Sequence, residues 1–417
     1  MDVKITPSKL SGQIDAIPSK SDAHRLLICA ALADKPTKLI ISKNSDDIDA
    51  TVSCLVSMGA KIERSKDYII ITPIKKTEAM PHLDCMESGS TFRFLLPTAA
   101  AVYDKVSFTG RGRLPARPIG HLSDEMKRHG VSFSNDLLPF TTSGLLQSGE
   151  YVLPGNVSSQ YITGLLFALP LTDGSSTIKL TTRLESSPYI DITLSALSRF
   201  GIKVERSERE FKVEGNQKFT SPDTLKVEGD WSNAAFFLVA GAIGKSISMR
   251  GLDMSSVQGD RVIIDILKRF GAKVEINGDT VTVSPAPLVG CEIDVGEAPD
   301  MLPVLCIAAA CAEGETRFVN AARLRLKESD RLAACSDMLA ALGIKSEVRD
   351  DSMTVFGGTL TGGHVDSVND HRIAMSAAVA AIRASGDVYI KDAQAVNKSY
   401  PAFYEDYNKL GGCANVI

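Results

Sequence analysis

Residues 270–285 read FGAKVEINGDTVTVSP, with a glycine after an apolar periodic stretch and an Asn-Gly turn between two alternating segments. A glycine in that place is typical of a helix that ends in the left-handed conformation. An Asn-Gly turn between β-branched segments is a strong signal for a hairpin. The stretch therefore predicts a helix that ends at Gly271 and is followed by a β-hairpin.

The same pattern recurs along the whole chain of 417 residues. Its glycine stands at positions 59, 130, 201, 271 and 343, with spacings of 71, 71, 70 and 72 residues, and a truncated sixth copy fits KLGGCANVI with Gly412. Self-similarity at a fixed period indicates a repeated structural unit. We therefore expect an α/β fold of six similar units of about 70 residues each.

Six units can form a solenoid, a closed ring or two lobes of three. Solenoid arrays usually have shorter periods and atypical polar ends, so the pattern favours two lobes. The candidate crossings between lobes are residues 18–21 and 227–230, the second of which lies where the repeat count passes from three to the next three. Ligands of a two-lobed protein are expected between the lobes.

The composition is that of an ordinary globular protein, with 44% hydrophobic and 23% charged residues. Lys and Arg total 46 against 50 Asp and Glu, so the net charge of −4 gives no general attraction to nucleic acid or to an anionic membrane. Apolar runs are shorter than the roughly 20 residues that span a bilayer. Any anion-binding site must therefore be local, and we expect neither nucleic acid nor a membrane as a partner.

The cysteines and histidines give no metal-site pattern. The eight cysteines include no CxxC pair and lie mainly in apolar stretches, so we expect buried thiols in a reducing compartment. The six histidines do not fall at ligand spacing relative to them, and no metal is expected. The N-terminal residues lack the features of a targeting segment, so we expect the chain to stay where it is made.

Several predicted helices begin with hydroxyl residues, and arginines follow within the first turns. Capping explains the hydroxyls, but a cation near a helix start opposes the helix dipole unless an anion binds there. A planar guanidinium also suits phosphate and carboxylate recognition. The arginines in question are Arg25, Arg93, Arg331 and Arg372. Because the chain has no GxxxxGK[ST] and no GxGxxG between strand and helix, ATP and NAD are not expected.

Acid–base candidates lie in the second half of the chain. The segment RLKESDRL predicts Lys327, Glu328 and Arg331 within one helical turn, and APDMLP predicts Asp300 at a helix start. An exposed, self-paired charged helix start is the alternative for KESDR. Near several arginines, a carboxylate and a lysine can have shifted pKa values and transfer protons. The residues thus indicate an enzyme acting on small, multiply anionic substrates.

Over nearly the whole chain, the sequence resembles the 5-enolpyruvylshikimate-3-phosphate synthase family of enolpyruvyl transferases, whose motifs occur here in the family's order. The motifs are SKSDAHR, SGSTFR, RPIGHL, SSQYITGLL, SSPYIDIT, GDWSNAAFFL, PDMLPVL, RLKESDR, NDHR and NKSYPAFY. The resemblance implies two lobes that form an inside-out α/β barrel, each with three βαβαββ units. It implies one lobe of residues 1–19 and 228–417, a second lobe of residues 20–227, and an active site in the cleft between the lobes.

The resemblance also implies the reaction. The enolpyruvyl group of phosphoenolpyruvate passes to the 5-hydroxyl of shikimate 3-phosphate, and phosphate leaves after a tetrahedral ketal intermediate. Phosphoenolpyruvate and shikimate 3-phosphate are the expected partners, with no cofactor and no metal, in a cytoplasmic monomer of the shikimate pathway. The small residue Gly89 implies competitive inhibition by glyphosate.

Site residues follow from the same resemblance. For shikimate 3-phosphate it implies Lys20, Ser21, Arg25, Ser158, Ser159, Gln160, Ser186, Tyr189, Asp300 and Lys327. For phosphoenolpyruvate it implies Lys20, Gly89, Ser90, Arg117, Gln160, Arg331, Arg372 and Lys398. Asp300, Glu328 and Lys20 are the expected catalytic residues: Asp300 takes the 5-hydroxyl proton, and Glu328 with Lys20 handles the proton at the methylene carbon. The division of these steps among the three stays open.

Two positions depart from the pattern of many family members, which have Asn where this chain has Glu87 and Arg323. These differences bear on substrate affinity and inhibitor response more than on activity.

Two other classes of protein are the alternatives. UDP-N-acetylglucosamine enolpyruvyl transferase is similar in fold and reaction, but it usually has a loop cysteine before its Arg-Pro, and residues 111–118 contain none. A relative that only binds anions would lose Lys20, Asp300 or Glu328, and all three are present.

Overall fold

A computed structural model describes the whole chain, residues 1–417. The chain divides into two compact units, one formed by Met1–Ser19 with Glu228–Ile417 and the other by Lys20–Val227. Each unit contains three four-stranded sheets. The protein therefore has an α/β fold.

The strands are short, and most alternate buried and exposed residues, which is the pattern of a sheet with one face toward a core. In chain order they are β1 (Val3–Ile5), β2 (Gly12–Asp15), β3 (Thr37–Ile40), β4 (Lys61–Arg64), β5 (Tyr68–Thr72), β6 (His82–Asp84), β7 (Lys105–Thr109), β8 (Ser132–Phe133), β9 (Phe140–Ser143), β10 (Glu150–Leu153), β11 (Ser176–Leu180), β12 (Glu205–Arg206), β13 (Glu210–Val213), β14 (Thr224–Lys226), β15 (Ile247–Arg250), β16 (Lys273–Asn277), β17 (Thr280–Ser284), β18 (Glu292–Asp294), β19 (Glu315–Val319), β20 (Ser346–Val348), β21 (Ser352–Phe356), β22 (Gly363–Asp366), β23 (Val388–Lys391) and β24 (Ala414–Val416).

The α-helices lie between these strands. They are α1 (Lys20–Ala31), α2 (Asp46–Ser57), α3 (Gly89–Val102), α4 (Gly120–Arg128), α5 (Ser159–Ala168), α6 (Ser187–Arg199), α7 (Trp231–Ile243), α8 (Ile263–Phe270), α9 (Leu302–Ala310), α10 (Arg331–Ala341), α11 (His371–Ala380) and α12 (Phe403–Lys409). None of them combines the length and the apolar character that a membrane crossing requires.

All six sheets share one strand order, in which a parallel pair is followed by two antiparallel neighbours. The orders are β14-β3-β5-β4, β6-β7-β9-β8 and β10-β11-β13-β12 in the unit Lys20–Val227, and β2-β15-β17-β16, β18-β19-β21-β20 and β22-β23-β1-β24 in the other unit. Each sheet thus repeats one local topology.

The glycines of the repeated pattern end helices as predicted. Gly59, Gly130, Gly201, Gly271 and Gly343 have φ of 98°, 92°, 78°, 101° and 81°, and an antiparallel hairpin follows each of them. In the sixth copy the prediction of Gly412 was wrong, because the left-handed residue is Gly411, with φ of 95°. A Cβ on Gly412 would lie 2.2 Å from the Tyr407 ring, so Gly412 is needed for close packing instead.

The sixth sheet is completed from the other end of the chain. Strand β24 has no following hairpin partner, and β1 lies between β23 and β24, where Val3 pairs with Ile390 and with Val416. The two sheets at the crossings between units also take a distant first strand: β2 pairs with β15, and β14 pairs with β3. These pairings explain why one unit is discontinuous in sequence.

The centre of each unit consists of apolar helices. Every residue of α7, α9 and α11 is buried, and these three helices contact one another. In the other unit, α3 and α5 pack so closely that a Cβ on Gly164 would lie 2.2 Å from the Arg93 carbonyl oxygen. The helix starts, where the polar residues lie, are therefore held by tightly packed apolar segments.

The expectation of buried thiols holds for five of the eight cysteines. Cys291 and Cys311 are partly buried, and Cys413 is exposed, so the prediction was wrong for Cys413. It lies next to β24, the edge strand of its sheet, where one flank faces solvent. All eight cysteines are free thiols.

Strand β1 gives a test of the sixth sheet. Ile5 is fully buried, so Ile5→Ala should lower the free energy of unfolding by about 2–5 kcal/mol, the cost of a cavity in a packed core. Ile276 is 43% exposed in β16, and Ile276→Ala should change stability by about 0.5 kcal/mol or less. Denaturant unfolding of both variants makes the comparison, and equal losses would contradict a structural role of β1.

Candidate active site

In the unit Lys20–Val227, several helix starts carry the predicted binding residues. Helix α1 begins at Lys20; Ser88 caps α3 by accepting a hydrogen bond from the Thr91 amide at 3.2 Å. Ser158 caps α5 in the same way, with the Gln160 amide at 3.3 Å. Free amides and the dipole at such positions favour anions. Gly89 and Ser90 thus lie at the start of α3, and Ser159 lies at the start of α5.

Arg25 joins α1 to α6. Its Nε donates to Thr193 Oγ1 at 2.8 Å, Nη1 donates to the Ser21 carbonyl at 2.7 Å, and Nη2 donates to the Tyr189 carbonyl at 2.8 Å. Burial lowers the pKa of the Arg25 guanidinium to about 10, so it stays charged at neutral pH. Three predicted residues, Ser21, Arg25 and Tyr189, are therefore brought together, with Ser186 buried at the start of α6 at φ 53°.

A second group joins α3 and α5. Gln160 Nε2 donates to Ser90 Oγ at 3.0 Å, and its Oε1 accepts from Arg93 Nη1 at 2.8 Å. A Cβ on Gly89 would lie 2.6 Å from Arg117 Nη1 and 2.8 Å from Arg93 Nη1, so two guanidinium groups converge on this glycine. Arg93 is one of the four arginines that the sequence predicts to suit an anion, but the family resemblance assigns it to neither substrate.

Lys20 is paired within its own unit. Its Nζ lies 2.8 Å from Asp47 Oδ2 at the start of α2, and the two side chains are 16% and 14% exposed. Asp47 was not among the predicted residues, because nothing in the sequence links α2 to the SKS motif.

In the other unit, Arg331 is the centre of a charged cluster. Its side chain is 1% exposed, and each guanidinium nitrogen meets a different carboxylate. Nη1 lies 2.6 Å from Asp300, Nη2 lies 2.7 Å from Glu328, and Nε lies 2.9 Å from Asp370. Burial alone would lower the pKa of Arg331, but these carboxylates outweigh it and raise the pKa well above its ordinary value.

Asp300 collects three cations. Lys327 Nζ lies 3.4 Å from Oδ1, and Arg372 Nη2 lies 3.4 Å from Oδ2, in addition to the Arg331 contact. Burial favours the neutral acid, but the three cations hold the pKa of Asp300 well below its ordinary value. Burial in turn lowers the pKa of Lys327, although Asp300 partly opposes this. The carboxylate is therefore ionised and is a weak base in this state.

The predicted helical turn at KESDR was wrong. Residues Ala322–Leu326 form a 3-10 turn, and α10 begins only at Arg331, with Asp330 as its cap accepting from the Ala333 amide at 3.2 Å. Lys327 and Glu328 therefore lie in the segment before the helix. Asp330 is the cap because its short carboxylate side chain can accept a hydrogen bond from an amide in the first turn. Glu328 still reaches Arg331 from this segment.

Arg372 and Lys398 complete this cluster. Arg372 Nη1 donates to the Asp300 carbonyl at 2.9 Å, and Nη2 donates to Ser232 Oγ at 2.7 Å. Lys398 Nζ donates to the Asn369 carbonyl at 2.7 Å, next to Asp370. Ser232 was not among the predicted site residues. Asp370 lies in the NDHR motif, but the motif does not reveal that Asp370 is the buried partner of Arg331.

The arrangement suits small polyanions. In one unit, Lys20, Arg25 and Arg117 lie among helix starts and hydroxyl groups, which bind phosphate and carboxylate oxygens. In the other unit, carboxylates and a lysine with shifted pKa values lie among arginines, which suits proton transfer next to a bound anion. No set of three or more His, Cys, Asp or Glu side chains is arranged to hold a metal ion.

Known proteins match this chain over nearly its whole length. Residues 5–407 match the EPSP synthase (3-phosphoshikimate 1-carboxyvinyltransferase) family. The 3-phosphoshikimate 1-carboxyvinyltransferase of Clostridium kluyveri is 43% identical over 419 residues, covering 98% of this chain and 97% of the relative. That of Clostridium novyi is 42% identical over 424 residues, with the same coverage.

Solved structures agree as well. EPSP synthase from Acinetobacter baumannii is 27% identical, with a TM-score of 0.83 and complete coverage of both chains. The enolpyruvyl transferase NikO from Streptomyces tendae has a TM-score of 0.83 at 19% identity, covering 99% of this chain and 98% of that one, which is a likeness of fold. The chain belongs to the EPSP synthase (3-phosphoshikimate 1-carboxyvinyltransferase) family.

Proposed function

We propose that this protein transfers the enolpyruvyl group of phosphoenolpyruvate to the 5-hydroxyl of shikimate 3-phosphate and releases phosphate. The observation that carries the proposal is the cluster around Arg331, in which Asp300, Glu328 and Lys327 lie among arginines. It provides carboxylates for proton transfer beside cations for an anionic substrate. Family membership supports the choice of substrates.

The proposed binding residues divide by substrate. Shikimate 3-phosphate binds Lys20, Ser21, Arg25, Ser158, Ser159, Gln160, Ser186, Tyr189, Asp300 and Lys327. Phosphoenolpyruvate binds Lys20, Gly89, Ser90, Arg117, Gln160, Arg331, Arg372 and Lys398. Each set includes residues from both units, and we propose that both units are required for each substrate. We also propose the inside-out α/β barrel of six βαβαββ units for the fold, and a cytoplasmic monomer.

The reaction proceeds by addition and elimination. The 5-oxygen bonds to C2 of phosphoenolpyruvate while C3 gains a proton, which gives a tetrahedral ketal phosphate. Loss of a proton from C3 and of phosphate from C2 then restores the double bond. Asp300 accepts the proton of the 5-hydroxyl, and Glu328 with Lys20 delivers and removes the proton at C3. Arginine and lysine side chains stabilise the leaving phosphate.

Substrate binding itself activates Asp300. Its low pKa comes from Lys327, Arg372 and Arg331, which outweigh burial. When the carboxylate of phosphoenolpyruvate binds Arg331 and Arg372, it competes for the same charges. The pKa of Asp300 then rises toward the value that burial favours, and the carboxylate becomes a stronger base. Proton abstraction is thus favoured only when phosphoenolpyruvate is present.

Phosphate release tests the function. The purified protein should release phosphate from phosphoenolpyruvate when shikimate 3-phosphate is present, and not when UDP-N-acetylglucosamine replaces it. Release that depends on the nucleotide sugar would assign the chain to the other enolpyruvyl transferase. No release with either acceptor would indicate a relative that only binds anions.

Glu328→Gln tests the proton-transfer role. The amide keeps the size of the side chain but cannot carry the proton, so kcat should fall by about 100- to 10,000-fold. Binding of shikimate 3-phosphate, measured by calorimetry, should change little. Glu292→Gln is the matched control, because Glu292 pairs with Arg317 at 3.4 Å on the exposed surface. Near-normal turnover of Glu328→Gln would remove Glu328 from this role.

Glyphosate tests the space at Gly89. The wild-type enzyme should be inhibited competitively with phosphoenolpyruvate. Gly89→Ala should raise the inhibition constant by about tenfold or more, since the added methyl must displace the Arg117 guanidinium, which lies 2.6 Å away. Gly120→Ala is the control, because a Cβ there has no atom within 4 Å. Unchanged turnover of the wild type in millimolar glyphosate would contradict this assignment.

A further inference from the structure

A buried chain of hydrogen bonds lies beneath the helix starts of the unit Lys20–Val227. His24 Nδ1 is 2.7 Å from Thr51 Oγ1, and Thr51 Oγ1 is 2.7 Å from Thr91 Oγ1. Thr91 Oγ1 donates to Ser88 Oγ at 2.8 Å. All four residues are at most 1% exposed. The chain thus connects α1, α2 and α3 and ends at the residue that caps α3.

The direction of these bonds follows from the histidine. His24 Nε2 is buried and has no hydrogen-bond partner. A buried N–H without an acceptor is rarer in proteins than an unsatisfied acceptor, so the proton lies on Nδ1. His24 therefore donates to Thr51, Thr51 donates to Thr91, and Thr91 donates to Ser88. Burial, with smaller contributions from Lys20 and Arg25, holds the pKa of His24 well below its ordinary value, which keeps this neutral form.

The chain parallels the ion pair of Lys20. Lys20 and His24 are four residues apart on α1, and their partners Asp47 and Thr51 are four residues apart on α2. Residues at this spacing lie on one face of a helix, so the two contacts join α1 to α2 one turn apart. The outer contact is partly exposed, with Lys20 at 16% and Asp47 at 14%, whereas the inner one is closed to solvent.

The two contacts differ in what a substrate can do to them. An anion that binds Lys20 competes with Asp47 for its ammonium group. The inner contact lies out of reach of substrate and stays formed. It therefore keeps α1 in register with α2 and α3 while Lys20 changes partner. The same chain holds Ser88, and Gly89 and Ser90 follow Ser88 directly.

We propose that His24, acting through Thr51 and Thr91, is a positioning residue for phosphoenolpyruvate: it fixes Lys20 on α1 relative to Gly89 and Ser90 on α3. This proposal rests on the function proposed above. Lys20 is assigned to both substrates, but Gly89 and Ser90 are assigned to phosphoenolpyruvate alone. Arg25, which is assigned to shikimate 3-phosphate alone, is held separately by Thr193 and the Tyr189 carbonyl on α6. Loss of the chain should therefore affect the two substrates unequally.

The test compares two isosteric variants. Thr51→Val removes the hydroxyl in the middle of the chain, and the KM for phosphoenolpyruvate should rise by about tenfold, with a smaller change for shikimate 3-phosphate. Thr37→Val is the matched control: Thr37 is also fully buried in this unit, and its hydroxyl lies 2.7 Å from Ser221 Oγ. Both variants should lower the melting temperature, but Thr37→Val should leave both KM values unchanged.

Two variants of His24 add a rescue. His24→Leu removes the donor and should raise the KM for phosphoenolpyruvate as Thr51→Val does. His24→Asn places an amide nitrogen near the position of Nδ1, so it should restore most of the affinity. If His24→Leu does not fold, the KM values of Thr51→Val and His24→Asn for phosphoenolpyruvate, each compared with wild type, still test the positioning role.

The outcomes separate the two proposals. Equal KM values for wild type and Thr51→Val, or equal rises for both substrates, would overturn the positioning role, as would a failure of His24→Asn to bind better than His24→Leu. A wild-type protein without turnover on shikimate 3-phosphate would instead overturn the proposed function.

Discussion

The charge of Arg331 is the constraint on which the polar half of the site depends. A guanidinium that is 1% exposed has lost nearly all its contact with water, and only carboxylates in contact with it can make its burial tolerable. Each of its nitrogens meets a different one, and those carboxylates come from segments that are far apart in sequence. Asp370 is completely buried and serves only protein groups, whereas Asp300 and Glu328 keep part of their surface exposed. The same contacts that stabilise the arginine therefore hold two partly exposed carboxylates in place.

The two units present their polar groups in different ways. In the unit Lys20–Val227, the polar groups are helix starts, hydroxyls and the Gln160 side-chain amide. Most contacts there are hydrogen bonds between two neutral groups or between a neutral group and one arginine. The unit with Arg331 is dense in opposite charges. Neutral donors hold an anion without changing protonation, whereas coupled charges respond to it.

Sequence patterns predicted the local structure well. The glycine at each helix end and the following hairpin could be read from residues that are adjacent in the chain, because their conformations depend on local sterics. The pattern failed at KESDR, where Asp330 caps the helix and leaves Lys327 and Glu328 outside it. It also failed at Gly412, because the left-handed residue is Gly411, whereas Gly412 packs against the Tyr407 ring.

Partners across the chain were out of reach of such patterns. Asp47 for Lys20, Arg93 for Gln160 and Thr51 for His24 are contacts between helices, which depend on packing rather than on spacing. The family resemblance supplied a list of site residues, and the geometry adds which of them touch. Residues such as Thr51 carry no motif, since a buried threonine in a helix has the same local signature anywhere in a protein.

Strand β1 has a consequence for how the chain folds during synthesis. In the other sheets the last two strands form a local hairpin, but Val3 must wait for Ile390 and Val416. Closing so long a loop is slow, and ribosomes release segments in order from the N-terminus. The segment Lys20–Val227 has all the strands of its three sheets before the remainder is made. Val3 and Ile5 therefore stay without strand partners until β23 and β24 have been synthesised.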